Sequence, residues 1–541
     1  MKNKKIILTT LSPKTHRTSE ENLGIEYLKS VLVKEGYEVE IIDAWLNELE
    51  VEDVYSKIIS QNDKLLFIGI SSYMSNTAPT IQLISMLKKY DENIKIVCGG
   101  FGPTFYPEDY LKSGADYIIR GEGENAICKL ANYIESPEIE CNVKNVGYLK
   151  DNNLIFNDME CLNDNLDNLP FPSRDNMNTV LQNKSSVNMV TARGCSGNCE
   201  FCSVISFFRL SNGKVWRTRS IINIVDEIEE LSKKGVKYIK IVDDSFIDGN
   251  RDEKWCEEFA DEIERRDIKV KLRGQIRADK VTDSILYNLK RAGFFSFACG
   301  IENGSQSALT RMNKKATVED NKRTLELFKK HGYIVQMGYI LFDKETTYQE
   351  LVENYQFMLD YDFAVTKGIF SEMFSAEGTA LNTRLRKENK LQESNFINNN
   401  NKYTLDDNIV EKVYLALKKW HKSHSEIYDM AIDPLTAPKA ISDEAMNNFY
   451  QYVMKLKKLD LLLFKNVLLE VKQNPNLDIE QYTEQYIYKS ENEYFNIEKN
   501  IKRLYRKNNL KYNAEKNPFI WNAKDKIRTH FIENRSNIWY N

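Results

Sequence analysis

Three of the chain's nine cysteines fall within eight residues, Cys195, Cys199 and Cys202 in "ARGCSGNCEFCSV" (192–204). Thiolates are soft ligands suited to zinc or to iron–sulfur clusters. Structural zinc takes four ligands, usually as two Cys-x2–4-Cys pairs. The other cysteines, at 98, 128, 141, 161, 256 and 299, stand alone. A zinc site would therefore need a fourth ligand from afar. A cubane 4Fe-4S cluster on three thiolates instead leaves one iron open to a substrate or cofactor. The five histidines, at 16, 331, 421, 424 and 530, are remote in sequence. His421 and His424, three residues apart in "WHKSH", are expected on a solvated helix face.

The elements that position this loop are legible from hydrophobic periodicity. "KIILTT" (5–10), "YEVEIID" (37–43), "KLLFIGISS" (64–72), "IKIVCGG" (94–100) and "ADYIIRG" (115–121) read as short apolar strands separated by helices. The first helix, "NLGIEYLKSVLVKEG" (22–36), ends on a glycine stop. Parallel strands need such crossovers, so the pattern predicts a doubly wound sheet with its ligand site beyond the carboxyl strand ends. A hairpin around Asp151–Asn152–Asn153 and the proline-bearing linker "LDNLPFPSRD" (166–175) follow. A second series begins with "VNMVTARG" (187–194), the strand that delivers the cysteine loop. It continues through 237–244, 268–279, 294–302, 333–342 and 363–370, six strand–helix units that fit a partial β/α barrel. The fold class is thus α/β: a doubly wound domain (1–140), a hairpin and linker (141–185), a partial (β/α)6 barrel (186–373) and a mostly helical C-terminal domain (374–541). Within the last, "NFINNNNKYTLDD" (395–407) reads as a polar loop.

At 541 residues, with 42% hydrophobic and 11% aromatic residues, the chain has material for several packed cores. A net charge of −4 without a basic block argues against nucleic acid as a partner. No apolar run reaches the roughly 18–20 residues that span a bilayer. The N-terminus lacks the pattern of an export signal. A cytoplasmic, reducing setting is expected, in which cysteines serve as ligands or packing groups.

Cys-x-x-x-Cys-x-x-Cys just after the first barrel strand, with Phe201 before the last cysteine, resembles the signature of the radical S-adenosylmethionine superfamily. The resemblance extends to "VDDSF" (242–246), "GQIRAD" (274–279), "CGIENGSQSAL" (299–309) and "RMNKKAT" (311–317). It implies that Cys195, Cys199 and Cys202 hold a 4Fe-4S cluster and that Phe201, Asp243, Asp244, Gln275, Arg277, Glu302 and Ser305 contact S-adenosylmethionine, with Gly304 nearby. Arg277 would pair with the methionine carboxylate; one of the two aspartates is equally explained as a helix N-cap. After the fifth strand, "YILFDKETT" (339–347) departs from the glycine–proline turn of relatives, so the adenine-side contacts are not carried over.

The amino-terminal part resembles the cobalamin-binding domain fused ahead of many such enzymes, through "GGFGPTFYPEDYL" (99–111), "ADYIIRGEGE" (115–124) and the linker. This implies a cobalamin site at Ser71, Ser72, Gly99, Gly100, Thr104 and Gly121, with the serines and Thr104 bonding a nucleotide tail. No Asp-x-His-x-x-Gly motif is present, and His16 is the candidate axial ligand, although a solvated loop histidine also explains it. The expected activity is radical S-adenosylmethionine cleavage coupled to cobalamin-dependent methylation of an unactivated carbon. Radical cyclisation or rearrangement, a cobalamin-free radical enzyme with the first domain as scaffold, and a zinc-stabilised binding module are the alternatives. The resemblance implies a small-molecule or peptide substrate and an electron donor such as flavodoxin or ferredoxin.

Overall fold

A computed structural model describes residues 4–13, 21–61, 65–137, 140–392 and 403–511. The first sheet has the order β2-β1-β3-β4-β5-β6-β7, with β1 (Lys5–Thr10), β2 (Glu38–Asp43), β3 (Leu65–Ser71), β4 (Ile96–Gly99) and β5 (Tyr117–Ile119) parallel. Alternate side chains feed two cores: Ile7, Ile68 and Ile118 on one face, Ile6, Phe67 and Ile119 on the other. Both faces are covered by helices, as a parallel sheet requires. The strand order reverses between β1 and β3, and register sets Ser71 level with Gly99 and Gly99 level with Ile119. The predicted glycine stop is present: Gly36 (φ +91) lets Tyr37 N–H return to the Leu32 carbonyl at 3.1 Å.

The hairpin β6 (Val146–Lys150) and β7 (Asn153–Phe156) turns on Asp151 and Asn152, both at positive φ. It is not part of a separate linker. β6 pairs antiparallel with β5, so the hairpin forms the edge of the first sheet.

The second sheet, β14-β13-β12-β11-β8, is parallel throughout: β8 (Val187–Met189), β11 (Tyr238–Ile241), β12 (Lys271–Arg277), β13 (Phe294–Glu302) and β14 (Ile334–Tyr339). A short antiparallel ribbon, β9 (Ala192–Arg193) with β10 (Arg217–Thr218), brackets the cysteine loop. The sixth expected strand, 363–370, joins only through the isolated bridge Gln336–Val365, with a second bridge, Phe342–Glu372, just beyond it. Val365 bonds to β14 in both directions, its N–H donating to Val335 O (2.8 Å) and its carbonyl accepting from Met337 N–H (2.9 Å). The C-terminal helices take the carbonyls before it: Tyr450 donates to Phe363 O (2.7 Å) and Lys457 to Ala364 O (2.8 Å). Gly368, at φ +71, breaks the extended run.

Three long helices, Asn408–Thr436, Asp443–Gln473 and Ile479–Lys507, share one core with the barrel, where Trp420 and Phe464 belong to the same cluster as Leu341, Phe342 and Val365. His421 and His424 are not solvated. His424 stacks on Tyr494 (3.7 Å) and His421 on Tyr428 (5.3 Å). The helix turns them towards its partners, a placement their polar sequence neighbours conceal. Most of the polar loop 395–407 lies outside the described residues. Among the described residues no helix is long and apolar enough to cross a membrane.

Candidate functional site

The cysteine loop leaves β9 through Gly194 (φ +82), where any Cβ would run into the Val215 carbonyl. Ser196 ties the loop down, its N–H donating to Asp248 Oδ2 (2.9 Å) and its hydroxyl to Oδ1 (2.6 Å). Gly197 lies against Arg277, whose Nη1 a Cβ would approach to 2.5 Å, and its N–H points to Cys195 Sγ at 3.3 Å. All three thiols are partly exposed. Burial pushes Cys202 up to about 11; it also raises Cys199, against the pull of Lys314 and Arg277. Ligation therefore has to displace protons, as metal binding to thiols does. Among the described residues no three His, Cys, Asp or Glu side chains form a single-ion set. Three thiols on one tethered loop are a donor set suited to a polynuclear cluster, in which each thiolate takes its own iron.

The barrel mouth divides the expected contacts into two groups. Asp244 and Gln275 are exposed there. Asp244 accepts from Gly194 N–H (3.0 Å), and the protein walls around it push its carboxyl up to about 6. Glu302, at φ +63 on the end of β13, pairs with the buried Lys314 at 2.7 Å. Lys314 lies in the stretch 311–317, and only the fold brings it to Glu302. The others are occupied internally. Asp243 is buried and accepts from Thr191 N–H (2.6 Å) and Arg251 (3.3 Å). Arg277 forks onto Asp279 (3.0 and 3.1 Å) and donates to Lys314 O (3.1 Å). Ser305 is buried, its hydroxyl on Ser307 (3.0 Å). Phe201 packs with Ala308 and Met312. The divergent segment after β14 is a charged knot in which Arg311 holds Asp343 (2.9 Å) and Glu350 (2.6 Å).

A cavity of about 290 Å³ lies between the carboxyl ends of the first sheet and the barrel. Ser71, Gly99, Gly100 and Gly121 line it from one side and Asp244 from the other. Glycines keep the floor flat: a Cβ on Gly69 would meet Leu8 at 2.6 Å, and one on Gly100 (φ +97) the Ser72 carbonyl at 2.7 Å. A mostly apolar hollow with few polar groups is the form of a cofactor site, and its glycine floor and aromatic wall suit a flat ring system. Ser72 and Thr104 are not among its lining residues. Ser72 Oγ lies among Asn76, Thr80 and Tyr110 at 3.0, 3.2 and 2.7 Å, and Thr104 Oγ1 accepts from Gly121 N–H at 3.2 Å. His16 lies outside the described residues. The aromatic wall of Tyr73, Phe101 and Phe207 had no signal in the sequence, since it is assembled from both halves of the chain; Phe101 stacks on Phe207 at 4.5 Å.

Comparison with known proteins agrees with this division. Residues 15–131 match the model of the B12 binding domain and residues 189–358 that of the radical SAM superfamily. An uncharacterized methyltransferase of Pyrococcus horikoshii is 27% identical over 356 residues, 64% of this chain and 75% of that protein. The anaerobic magnesium-protoporphyrin IX monomethyl ester cyclase of Synechocystis is 23% identical over 359 residues, 63% of this chain and 68% of that one. In fold, the chain is similar to the cobalamin-dependent S-adenosylmethionine radical enzyme OxsB solved with aqua-cobalamin (TM-score 0.74, 18% identity, 94% of this chain and 80% of that one). It is also similar to the radical S-adenosylmethionine methyltransferase TsrM of Kitasatospora setae (TM-score 0.61, 17% identity, 72% and 77%).

Proposed function

We propose, for a chain that belongs to the radical S-adenosylmethionine enzymes carrying a cobalamin-binding domain, the cobalamin-dependent methylation of an unactivated carbon in a small molecule or peptide. The observation that carries this reading is the shared cavity: Gly99, Gly100 and Gly121 of the first sheet and Asp244 of the barrel face one space. When bound, the 4Fe-4S cluster and S-adenosylmethionine supply a 5′-deoxyadenosyl radical and cobalamin supplies the methyl group, chemistry that no side chain offers. The protein's part is to hold and orient. Cys195, Cys199 and Cys202 would hold the cluster. Asp244, Gln275 and the Glu302–Lys314 pair would receive S-adenosylmethionine at the mouth. Ser71, Gly99, Gly100 and Gly121 would bed the corrin, and Phe101, Phe207 and Phe208 exclude water from the seam. A one-electron donor such as flavodoxin or ferredoxin, in the cytoplasm, completes the picture.

A second reading, radical cyclisation or rearrangement, is favoured by the cyclase relatives. Anaerobic reconstitution with iron, sulfide and hydroxocobalamin tests both through the absorption spectrum, corrinoid content and 5′-deoxyadenosine release from S-adenosylmethionine. Stoichiometric corrinoid beside a cluster is expected, and methyl-labelled S-adenosylmethionine then separates methylation from cyclisation. A cluster without corrinoid overturns the cobalamin role, and zinc in place of iron overturns the radical enzyme.

A further inference from the structure

Glu122 sits between two cavity-lining glycines, Gly121 and Gly123, just past β5. Its carboxylate takes a fork from Arg217, both bonds at 2.9 Å, and Arg193 Nη1 at 3.0 Å. Glu124 accepts from Arg193 Nη2 at 2.5 Å. Arg193 and Arg217 are cross-strand partners in the ribbon β9–β10. That ribbon is the neck of segment 194–216, which contains all three ligating cysteines. One carboxylate of the first sheet therefore grips both strands at the root of the cysteine loop. The grip is braced on each side: Arg193 lies over Tyr27 (5.5 Å), Arg217 over Phe208 (5.3 Å), and Arg217 also donates to Asn163 O (3.1 Å). Forked guanidinium–carboxylate pairs fix direction as well as distance, which a lysine point charge does not. An adhesive contact between domains has no need of such a place. This one joins the wall of one site to the root of the other.

We infer that Glu122 is a positioning residue coupling the cavity to the cysteine loop, so that occupancy of either site alters affinity at the other. The inference rests on the cobalamin reading of the cavity. A ligand that presses on 121–123 moves Glu122, and Glu122 cannot move without the neck. Linkage makes the effect reciprocal.

The test titrates hydroxocobalamin, followed by its absorbance, into the full chain with and without the reconstituted cluster. In the wild type the two dissociation constants should differ about fivefold or more, the low end of intersite coupling. Glu122→Gln preserves size and breaks the charged fork, and should bring the ratio to about one. Arg193→Lys preserves charge without the fork and should lower the ratio part of the way; it decides the matter if Glu122→Gln fails to fold. A merely structural loss weakens both constants together and leaves their ratio unchanged. A ratio that survives both substitutions, or a wild-type ratio of one, overturns the coupling. A wild-type chain that takes up no hydroxocobalamin overturns the cobalamin reading and the coupling with it, an outcome distinct from uptake without coupling.

Discussion

Along the seam between the two sheets, buried charge is paired glutamate to arginine, whereas in the C-terminal helical core it is satisfied by neutral groups. Burial works to raise Glu122, but Arg193 and Arg217 outweigh it and hold the carboxyl below its ordinary value. In the helical core, Asp460 accepts from Trp420 Nε1 (2.8 Å), Tyr494 OH (3.2 Å) and Tyr428 OH. Lys457 faces the carbonyls of Tyr361 (2.9 Å) and Ala364 (2.8 Å). Burial pushes Asp460 up to about 6 and Lys457 down to about 7, and lowers His421 to about 4 and His424 to about 3. Arginine stays charged at any working pH. The Glu122 contact with Arg193 and Arg217 is therefore insensitive to pH above the carboxylate range, and the helical core is not.

Cys199→Ala should separate the two regions most sharply. The thiol is partly exposed and contributes little packing, so the melt should shift by about 1 kcal/mol or less, while iron per chain and 5′-deoxyadenosine formation fall to background. Retained iron would break the three-thiolate reading. Asp460→Ala leaves three buried donors without their acceptor, at about 1–3 kcal/mol each. A loss of about 3 kcal/mol or more is expected in urea unfolding followed by tryptophan fluorescence, with iron content of the folded protein unchanged. A loss below about 1 kcal/mol would show that the helices do not depend on this carboxylate.

Acid sharpens the contrast with a smaller effect. His421 and His424 have folded values below the ordinary 6.5, so the unfolded chain binds more protons than the native one. Their contribution is full above about pH 6.5 and is lost as pH falls towards 4 and 3. Asp460 has the opposite sign: raised from 3.8, its contribution is full below that value and lost as pH rises through about 6. Two histidines outweigh one carboxylate, so the helical core should melt lower at pH 5 than at pH 7. His424→Phe, which preserves the stack on Tyr494, should roughly halve that drop; an equal drop overturns the assignment. The seam should protect its amides from hydrogen exchange until pH falls below the carboxylate range. Glu140→Gln should do least. Its pair with Lys150 is fully solvated, and neither melt nor iron uptake should change measurably.

Much of the fold and part of the site were legible beforehand. The five parallel strands of the first sheet follow from apolar runs whose spacing admits only crossover helices, and the cysteine loop from ligand chemistry and spacing. Asp244, Gln275 and Glu302 lie at strand ends, where sequence reasoning can place them on a face. The sequence alone does not separate Asp243 from Asp244, because a one-residue step at a strand end reverses the side chain's direction. Nor does it show that Arg277 pairs with Asp279, that Ser72 and Thr104 bond within their own domain, or that 363–370 holds β14 only around Val365 while Tyr450 and Lys457 take the carbonyls of Phe363 and Ala364.

By itself, then, the sequence determined the three-thiolate loop, the alternating strand–helix order and the glycine-bearing strand ends, since each depends on short-range periodicity or local backbone freedom. Only the tertiary structure decided which polar groups remain open to a ligand. A side chain's availability depends on partners far away in the chain: Glu122 meets Arg217 across 95 residues of sequence and Arg193 across 71. Which hydrogen-bonding groups are already paired in the interior is a property of the packed molecule.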